Sequence, residues 1–291
     1  MIFGYDSLIS DFKRLADERR LAHAYLFFGD PEVGKFLFAE SLANYLENDS
    51  FEEPKKDLKE ALLIDFDELQ KKSSQSNQES IGIDAVREIG RFLFQTPIAS
   101  AYRLAIIRDA EWLTDQAQNA LLKIVEEPPP SGVIIAIAKD PGVFLPTISS
   151  RFLKIYFPRL SSGKILDFLS EYGKIKDVDM KETASKAFGR IGRALRIVRQ
   201  KKSLEKIENL ISSVLSKKTP AVINDLTEKI LSLGDKDPRK LDLFFEELIL
   251  KLNQNLPQNS STMASVNQTL WLLKTLTVNK RIQIKKMLSD I

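Results

Sequence analysis

Residues Gly29-Asp30-Pro31-Glu32-Val33-Gly34-Lys35 carry the G-x-x-x-x-G-K spacing of a phosphate loop. The two glycines let backbone N–H groups close around an anion, the lysine reaches terminal phosphates, and the dipole of a following helix adds to the attraction. Such loops continue with a Ser or Thr whose hydroxyl ligates Mg²⁺. Here the next residue is Phe36, which has no oxygen to offer. The pattern is that of a loop able to take an anion but lacking one metal ligand.

Further chemistry gathers between Arg108 and Lys139. The apolar run Leu104 to Ile107 is followed at once by Arg108, Asp109 and Glu111, and the run Val133 to Ala138 by Lys139. In parallel sheets ligands bind beyond the carboxyl ends of the strands, where these side chains should fall. Asp109 reads either as a general base or as an acid preceding a helix. Glu126 and Glu127 read either as paired carboxylates or as a solvated helix end before Pro128, Pro129 and Pro130. His23 reads as a packing or hydrogen-bonding residue at a strand entrance. With no cysteine and one histidine, the chain has neither a disulfide scaffold nor a thiolate or histidine metal cluster, so no metal site and no zinc are expected.

The elements that must hold these groups follow from hydrophobic period. Ala24 to Phe28 is a short buried strand running straight into the loop, and Leu37, Ala39, Leu42, Ala43 and Leu46 continue it as a helix. Thr114 suits a helix N-cap, with Ala117, Leu121, Ile124 and Val125 on one face and prolines ending the helix. Strand, acidic turn, helix, strand between Arg103 and Ala138 is a βαβ crossover with parallel strands. Ala61 to Ile64 and Phe152 to Phe157 bring the count to about five strands with helices between them, an α/β doubly wound parallel sheet. The polar tract Lys71 to Gln78 reads as an exposed loop. Beyond Leu160 only helical spacing remains, with turns at Thr219-Pro220, Gly234 to Pro238 and Asn255 to Ser261.

The chain has 291 residues, 29% of them charged and 43% hydrophobic, with a formal net charge of +3. That is the composition of a globular protein of two or three domains, and the charge permits contact with nucleic acid without arguing for it. No apolar run approaches the roughly 20 residues of a membrane span, and residues 1–20 lack the order of a signal peptide, so a cytoplasmic place and no membrane partner are expected. Lys274, Lys280, Arg281, Lys285 and Lys286 form a basic C-terminal face, solvated or turned to an acidic partner or DNA.

Several segments together resemble the clamp-loader branch of the AAA+ proteins. They are Leu21 to Phe27, the loop Gly29 to Lys35, Thr114 to Pro129 and Thr147 to Arg151, and the most specific is Asn119-Ala120-Leu121-Leu122-Lys123 with Glu126-Glu127-Pro128-Pro129. The chain is similar to bacterial DNA polymerase III clamp loaders, and the Asp109-Ala110-Glu111 context to their delta-prime type. The resemblance implies a RecA-like AAA+ domain over 1–159, a helical lid over 160–203 and a helical collar for oligomerisation over 204–291. It implies gamma/tau and delta subunits as partners, and through the complex the sliding clamp and primer–template DNA, in a bacterial replisome at the nucleoid.

Departures from the family pattern shape the expected activity. Active clamp-loader ATPases end the strand before the acidic turn in Asp-Glu, places held here by Arg108 and Asp109, and the polar residue expected near the end of the Val133 to Ala138 strand is replaced by Ala138 and Lys139. The resemblance therefore implies a non-hydrolysing delta-prime-type subunit, not an enzyme as an isolated chain, with an active ATPase of the gamma/tau or small-subunit type as the alternative. Gly29, Gly34 and Lys35 form a vestigial or weak nucleotide site: no cofactor is required, and ATP or ADP binding stays open. Arg193, in Gly189 to Ala194, stands where the family's lid carries a nucleotide-sensing arginine, and either senses or braces the lid. Arg151 matches the arginine of the family's Ser-Arg-Cys motif, an arginine finger acting in trans on a neighbour's ATP.

Overall fold

The computed structural model describes residues 2–66, 69, 80–172, 179–199, 201–216, 219–236, 238–253, 259–275 and 278–290. The expected loop over 71–78 lies outside them. Two compact units divide between Val198 and Arg199.

In the first unit five parallel strands form one sheet: β1 (Ala24–Phe28), β2 (Ala61–Ile64), β3 (Arg103–Ile107), β4 (Gly132–Ile137) and β5 (Leu153–Tyr156), in the order β2-β3-β4-β1-β5. Every residue of β3 and β4 is buried, as central strands covered on both faces must be. The two-residue period deals their side chains alternately to two cores. Tyr25, Phe27, Leu104, Ile106, Val133 and Ile135 face one; Ala24, Leu26, Ala105, Ile107, Ile134 and Ala136 face the other. The doubly wound parallel sheet read from the sequence is the observed one.

Helices α1 (Asp6–Asp17) and α2 (Lys35–Asn48) cover the first face, where the Phe27 ring meets Phe12 and Phe38 edge-on, each at 5.7 Å, and Phe157 at a tilt at 5.0 Å, centroid to centroid. Helices α3 (Ile83–Leu93) and α4 (Asp115–Glu126) cover the second through Val86, Ile89, Ala117 and Leu121. Thr114 caps α4 as expected, its hydroxyl accepting the Ala117 N–H at 3.1 Å. The short α5 (Pro146–Ser149) leads into β5.

Helices α6 (Ser162–Tyr172), α7 (Met180–Lys186) and α8 (Ile191–Arg199) close the unit. Gly189 has φ +73, and a Cβ there would stand 2.4 Å from the Leu160 carbonyl oxygen, so only glycine lets the turn before α8 approach the segment leaving the sheet.

The second unit is helical: α9 (Lys201–Val214), α10 (Pro220–Lys236), α11 (Pro238–Asn253), α12 (Ser260–Thr275) and α13 (Lys280–Asp290). Helix α9 starts ahead of the 203/204 boundary drawn from the sequence. Ile230, Phe244, Phe245, Leu248, Val266, Ile284 and Met287 form its buried interior. The turn expected from Gly234 is displaced: α10 runs through Gly234 to Lys236. A helical glycine costs only about 1 kcal/mol against alanine, and this one gives room to Leu241, 3.3 Å from where its Cβ would be. Lys280, Arg281, Lys285 and Lys286 are exposed on α13. The side chain of Lys274 lies outside what is described.

Candidate functional site

The loop begins where β1 ends. Gly29 has φ +130, and a Cβ there would lie 2.5 Å from the Phe157 carbonyl oxygen. Its N–H donates to the Lys139 carbonyl at 3.2 Å, tying the ends of β1 and β4 together. Gly34, with φ +111, stands at the N-cap of α2, and Glu32 between them also has positive φ at +62. Lys35 turns back into the loop and donates from Nζ to the Gly29 carbonyl at 2.5 Å and to that of Asp30 at 2.6 Å. Burial lowers its pKa to about 8, against the opposing pull of Glu111, Asp30 and Asp109. Gly29, Gly34 and Lys35 are thus brought into one loop with the architecture of a phosphate cradle.

Beside that cradle lies the place where a metal ion would complete a nucleotide site. The Arg108 guanidinium carbon lies 4.6 Å from the Phe36 ring centroid, a cation–π contact. The same guanidinium pairs with Asp65 at 2.8 Å and approaches Asp109 at 3.8 Å. Asp65 is 6% exposed, so the arginine neutralises a buried carboxylate. Asp109 has φ +52, and burial raises its pKa, with Arg108 working the other way. Mg²⁺ wants oxygen ligands in a near-octahedral shell. Phe36 supplies none, and among the described residues Asp65 and Asp109 already flank a fixed cation. The residues present do not fit the metal.

The third side of the loop is held by α8 and the segment after β5. The Gly192 N–H donates to the Glu32 carbonyl at 2.8 Å. The Glu32 carboxylate pairs with Arg196 at 3.0 Å. Asp30 takes two hydrogen bonds from Arg159, at 2.5 and 3.1 Å, and chiefly for that reason its pKa falls below the ordinary value. The Tyr5 hydroxyl lies 3.0 Å from both the Val33 and Pro158 carbonyl oxygens, and burial pushes its pKa up to about 12.

Arg193 is buried at 3% exposure, donates from Nε to the Lys186 carbonyl at 2.8 Å and lies 5.8 Å from the Phe188 ring. Arg196, one turn further along the same helix, contacts the loop through Glu32. Sequence reasoning passed over Arg196, Glu32, Arg159 and Asp65. The i, i+3 spacing of Arg193 and Arg196 puts both on one helix face and could have pointed to the first.

Arg151 is elsewhere. It precedes β5, whose first residue, Leu153, pairs with Tyr25 early in β1, whereas Tyr156 pairs with Phe28 next to the loop. The strands are parallel, so Arg151 sits at the amino end of the sheet and the phosphate loop at the carboxyl end. Its guanidinium pairs with Glu126 at 2.7 Å and donates to the Thr147 carbonyl at 2.6 Å, with 41% of the side chain exposed. Glu126 accordingly serves as a partner of Arg151. His23 corrects the expectation made for it: its side chain is exposed, and the hydrogen bond at the strand entrance, from the Ile134 N–H at 2.8 Å, goes to its main-chain carbonyl.

Residues 4–161 match the family described as DNA polymerase III, delta subunit. A DNA polymerase III subunit gamma/tau of Mycobacterium bovis is 33% identical over 162 residues, 52% of this chain and 27% of that protein. A subunit delta' of Pseudomonas aeruginosa is 28% identical over 165 residues, 54% of this chain and 49% of that protein. The chain thus spans between 27% and 49% of the length of these two curated relatives. A crystal structure of a DNA polymerase III gamma subunit-related protein of Thermotoga maritima shares the fold, with TM-score 0.56, 21% identity and 97% of each chain covered. The family match takes in more than half of the sequence, and the chain belongs to the DNA polymerase III delta-subunit family, among the bacterial clamp-loader AAA+ proteins.

Proposed function

We propose that the chain is a non-hydrolysing, delta-prime-type subunit of a DNA polymerase III clamp loader, which helps place the sliding clamp on primed DNA. One observation carries this reading: the Arg108 guanidinium rests on Phe36 where an ATPase of this fold needs metal ligands. The identity to a gamma/tau subunit favours an active ATPase instead, but the two substitutions meet at one point and disable one function. In this reading residues 1–159 form the AAA+ domain, 160–203 the lid and 204–291 the collar, with gamma/tau and delta subunits as partners. Val222, Trp271 and Ile282 are 40%, 57% and 61% exposed on the second unit, apolar surface of the kind a partner covers. Arg151 acts in trans. Its place at the opposite end of the sheet from its own loop supports a target on a neighbouring chain.

Reconstitution tests the proposal. The chain is mixed with its cognate gamma/tau and delta subunits, the clamp and primer–template DNA, and clamp loading is followed with and without it. Loading that requires the chain, and survives Lys35→Ala, is the expected result. Loading that proceeds equally well without it would remove the assignment.

A further inference from the structure

The misfit between this loop and a divalent cation has a consequence for what the loop can take. We propose that Arg108 is a built-in monovalent cation that excludes a divalent ion from the loop, so that Mg²⁺ contributes nothing to the binding of a nucleoside diphosphate. The proposal rests on the reading of Gly29 to Lys35 as a phosphate loop that no longer hydrolyses.

Three features fix the guanidinium in place. Its carbon stands 4.6 Å from the centroid of Phe36, the residue where the metal-binding hydroxyl belongs. Its Nη1 is 2.8 Å from Oδ2 of buried Asp65, so swinging away would break a short ion pair at a desolvated carboxylate. Its Nε is 3.8 Å from Oδ2 of Asp109, a second acid beside it. A dication entering beside it would meet a like charge at short range, in a half-buried setting where water screens poorly. A guanidinium stays protonated at any pH a folded protein tolerates, so it cannot lose its charge to make room. The helix dipole of α2, Lys35 and Arg108 then all present positive charge to an anion in the loop.

The test uses the full chain and a fluorescent ADP derivative, titrated in Mg²⁺ and in EDTA. For the wild type, Mg²⁺ should change the affinity by no more than about twofold; Mg²⁺-bound nucleotide normally owes much of its hold to the metal bridging its phosphates. Phe36→Thr/Arg108→Asp and the neutral variant Phe36→Thr/Arg108→Asn should acquire binding at least about tenfold tighter in Mg²⁺. Circular dichroism establishes that each is folded. Phe36→Thr alone, which keeps the guanidinium, should stay indifferent to Mg²⁺. Wild-type binding that tightens tenfold with Mg²⁺ would overturn the proposal. So would Mg²⁺ dependence in Phe36→Thr, or its absence from both folded double variants. ATP turnover is a separate readout: turnover by the wild type sinks the non-hydrolysing reading, whereas Mg²⁺-dependent binding without turnover sinks only the exclusion.

Discussion

Arg108 and Phe36 lie far apart in the chain, yet the guanidinium of one stands 4.6 Å from the ring centroid of the other. Each occupies a position at which a phosphate-loop ATPase carries an oxygen for the metal. Together they form a contact that stabilises the altered site, since an arginine over an aromatic face gains about 0.5–2 kcal/mol. Restoring one position alone therefore removes a favourable contact without rebuilding a metal shell. The isolated chain should show no ATP hydrolysis above that of its Lys35→Ala variant when phosphate release is measured over hours. Turnover that vanished with Lys35→Ala would identify a working site.

Lys35 makes the loop pH-sensitive in a defined direction. Its folded pKa is about 8, below its ordinary value, so between the two the unfolded chain holds more protons than the folded one. Stability must then rise with pH across that window, and the burden of the buried charge is greatest below about pH 8. Urea denaturation of wild type and Lys35→Met from pH 7 to 10.5 should show the wild type gaining on the variant as pH rises. The gain is on the order of 1–2 kcal/mol after allowance for solvent screening. A difference independent of pH would show that the lysine is not desolvated in solution.

Local chemistry was legible in the sequence wherever neighbours in the chain decide it. Thr114 before an apolar 3.6-residue period was enough to place α4, and the Ile-rich runs at Leu104 and Val133 were enough to place the two central strands. Gly29 and Gly34 were readable as backbone positions because the spacing to Lys35 fixes their task. Phe36 and Arg108 were each readable as a loss, but their union was not, because it depends on how α2 lies against the end of β3. The Glu32–Arg196 and Asp30–Arg159 pairs were hidden for the same reason: they form only once α8 and the end of β5 have docked on the loop. At Gly234 a local helix breaker did not end the helix: α10 runs on to Lys236, and the glycine leaves room for Leu241 of the next helix.

Glu60 and Arg103 test the sheet that carries the site. The carboxylate takes the Arg103 Nε–H at 2.7 Å and the Ile98 and Ala99 N–H groups at 2.6 and 3.0 Å. Burial acts to raise its pKa, but these donors outweigh burial and hold it below the ordinary value. Its contribution is therefore present above about pH 4.3 and is lost as pH falls through the lower folded value. Glu60→Gln would leave a buried guanidinium without its counter-charge and should lower the stability of the first unit by about 3–5 kcal/mol. Trp112 reports on that unit if Trp271→Phe silences the other tryptophan, so urea unfolding followed by fluorescence gives the answer. A loss under about 1 kcal/mol would mean that water reaches the pair.

Arg151 distinguishes a structural pair from a group held ready for another chain. Its partner Glu126 and the arginine itself are 43% and 41% exposed, and ion pairs of that kind contribute about 0–1 kcal/mol. Arg151→Ala should therefore leave folding and assembly nearly unchanged. The guanidinium lies at the amino end of a parallel sheet whose carboxyl end holds the phosphate loop, so intramolecular contact with nucleotide there is excluded by topology. Within an assembled complex it would instead face a neighbouring chain's ATP, where a planar, permanently charged fork can bridge two phosphate oxygens as charge develops. Fingers supplied in trans raise rates by roughly 10³–10⁵, but one finger serves only one of several sites in a ring. The expected outcome for Arg151→Ala and Arg151→Lys is thus a partial loss of the complex's clamp- and DNA-stimulated ATPase with assembly intact by gel filtration. Glu126→Ala supplies the control. It breaks the same pair while leaving the guanidinium in place, so it should retain the rate that Arg151→Ala loses. If the two variants lost activity equally, the pair itself would be what matters, and Arg151 would be a fastening between α4 and the start of β5.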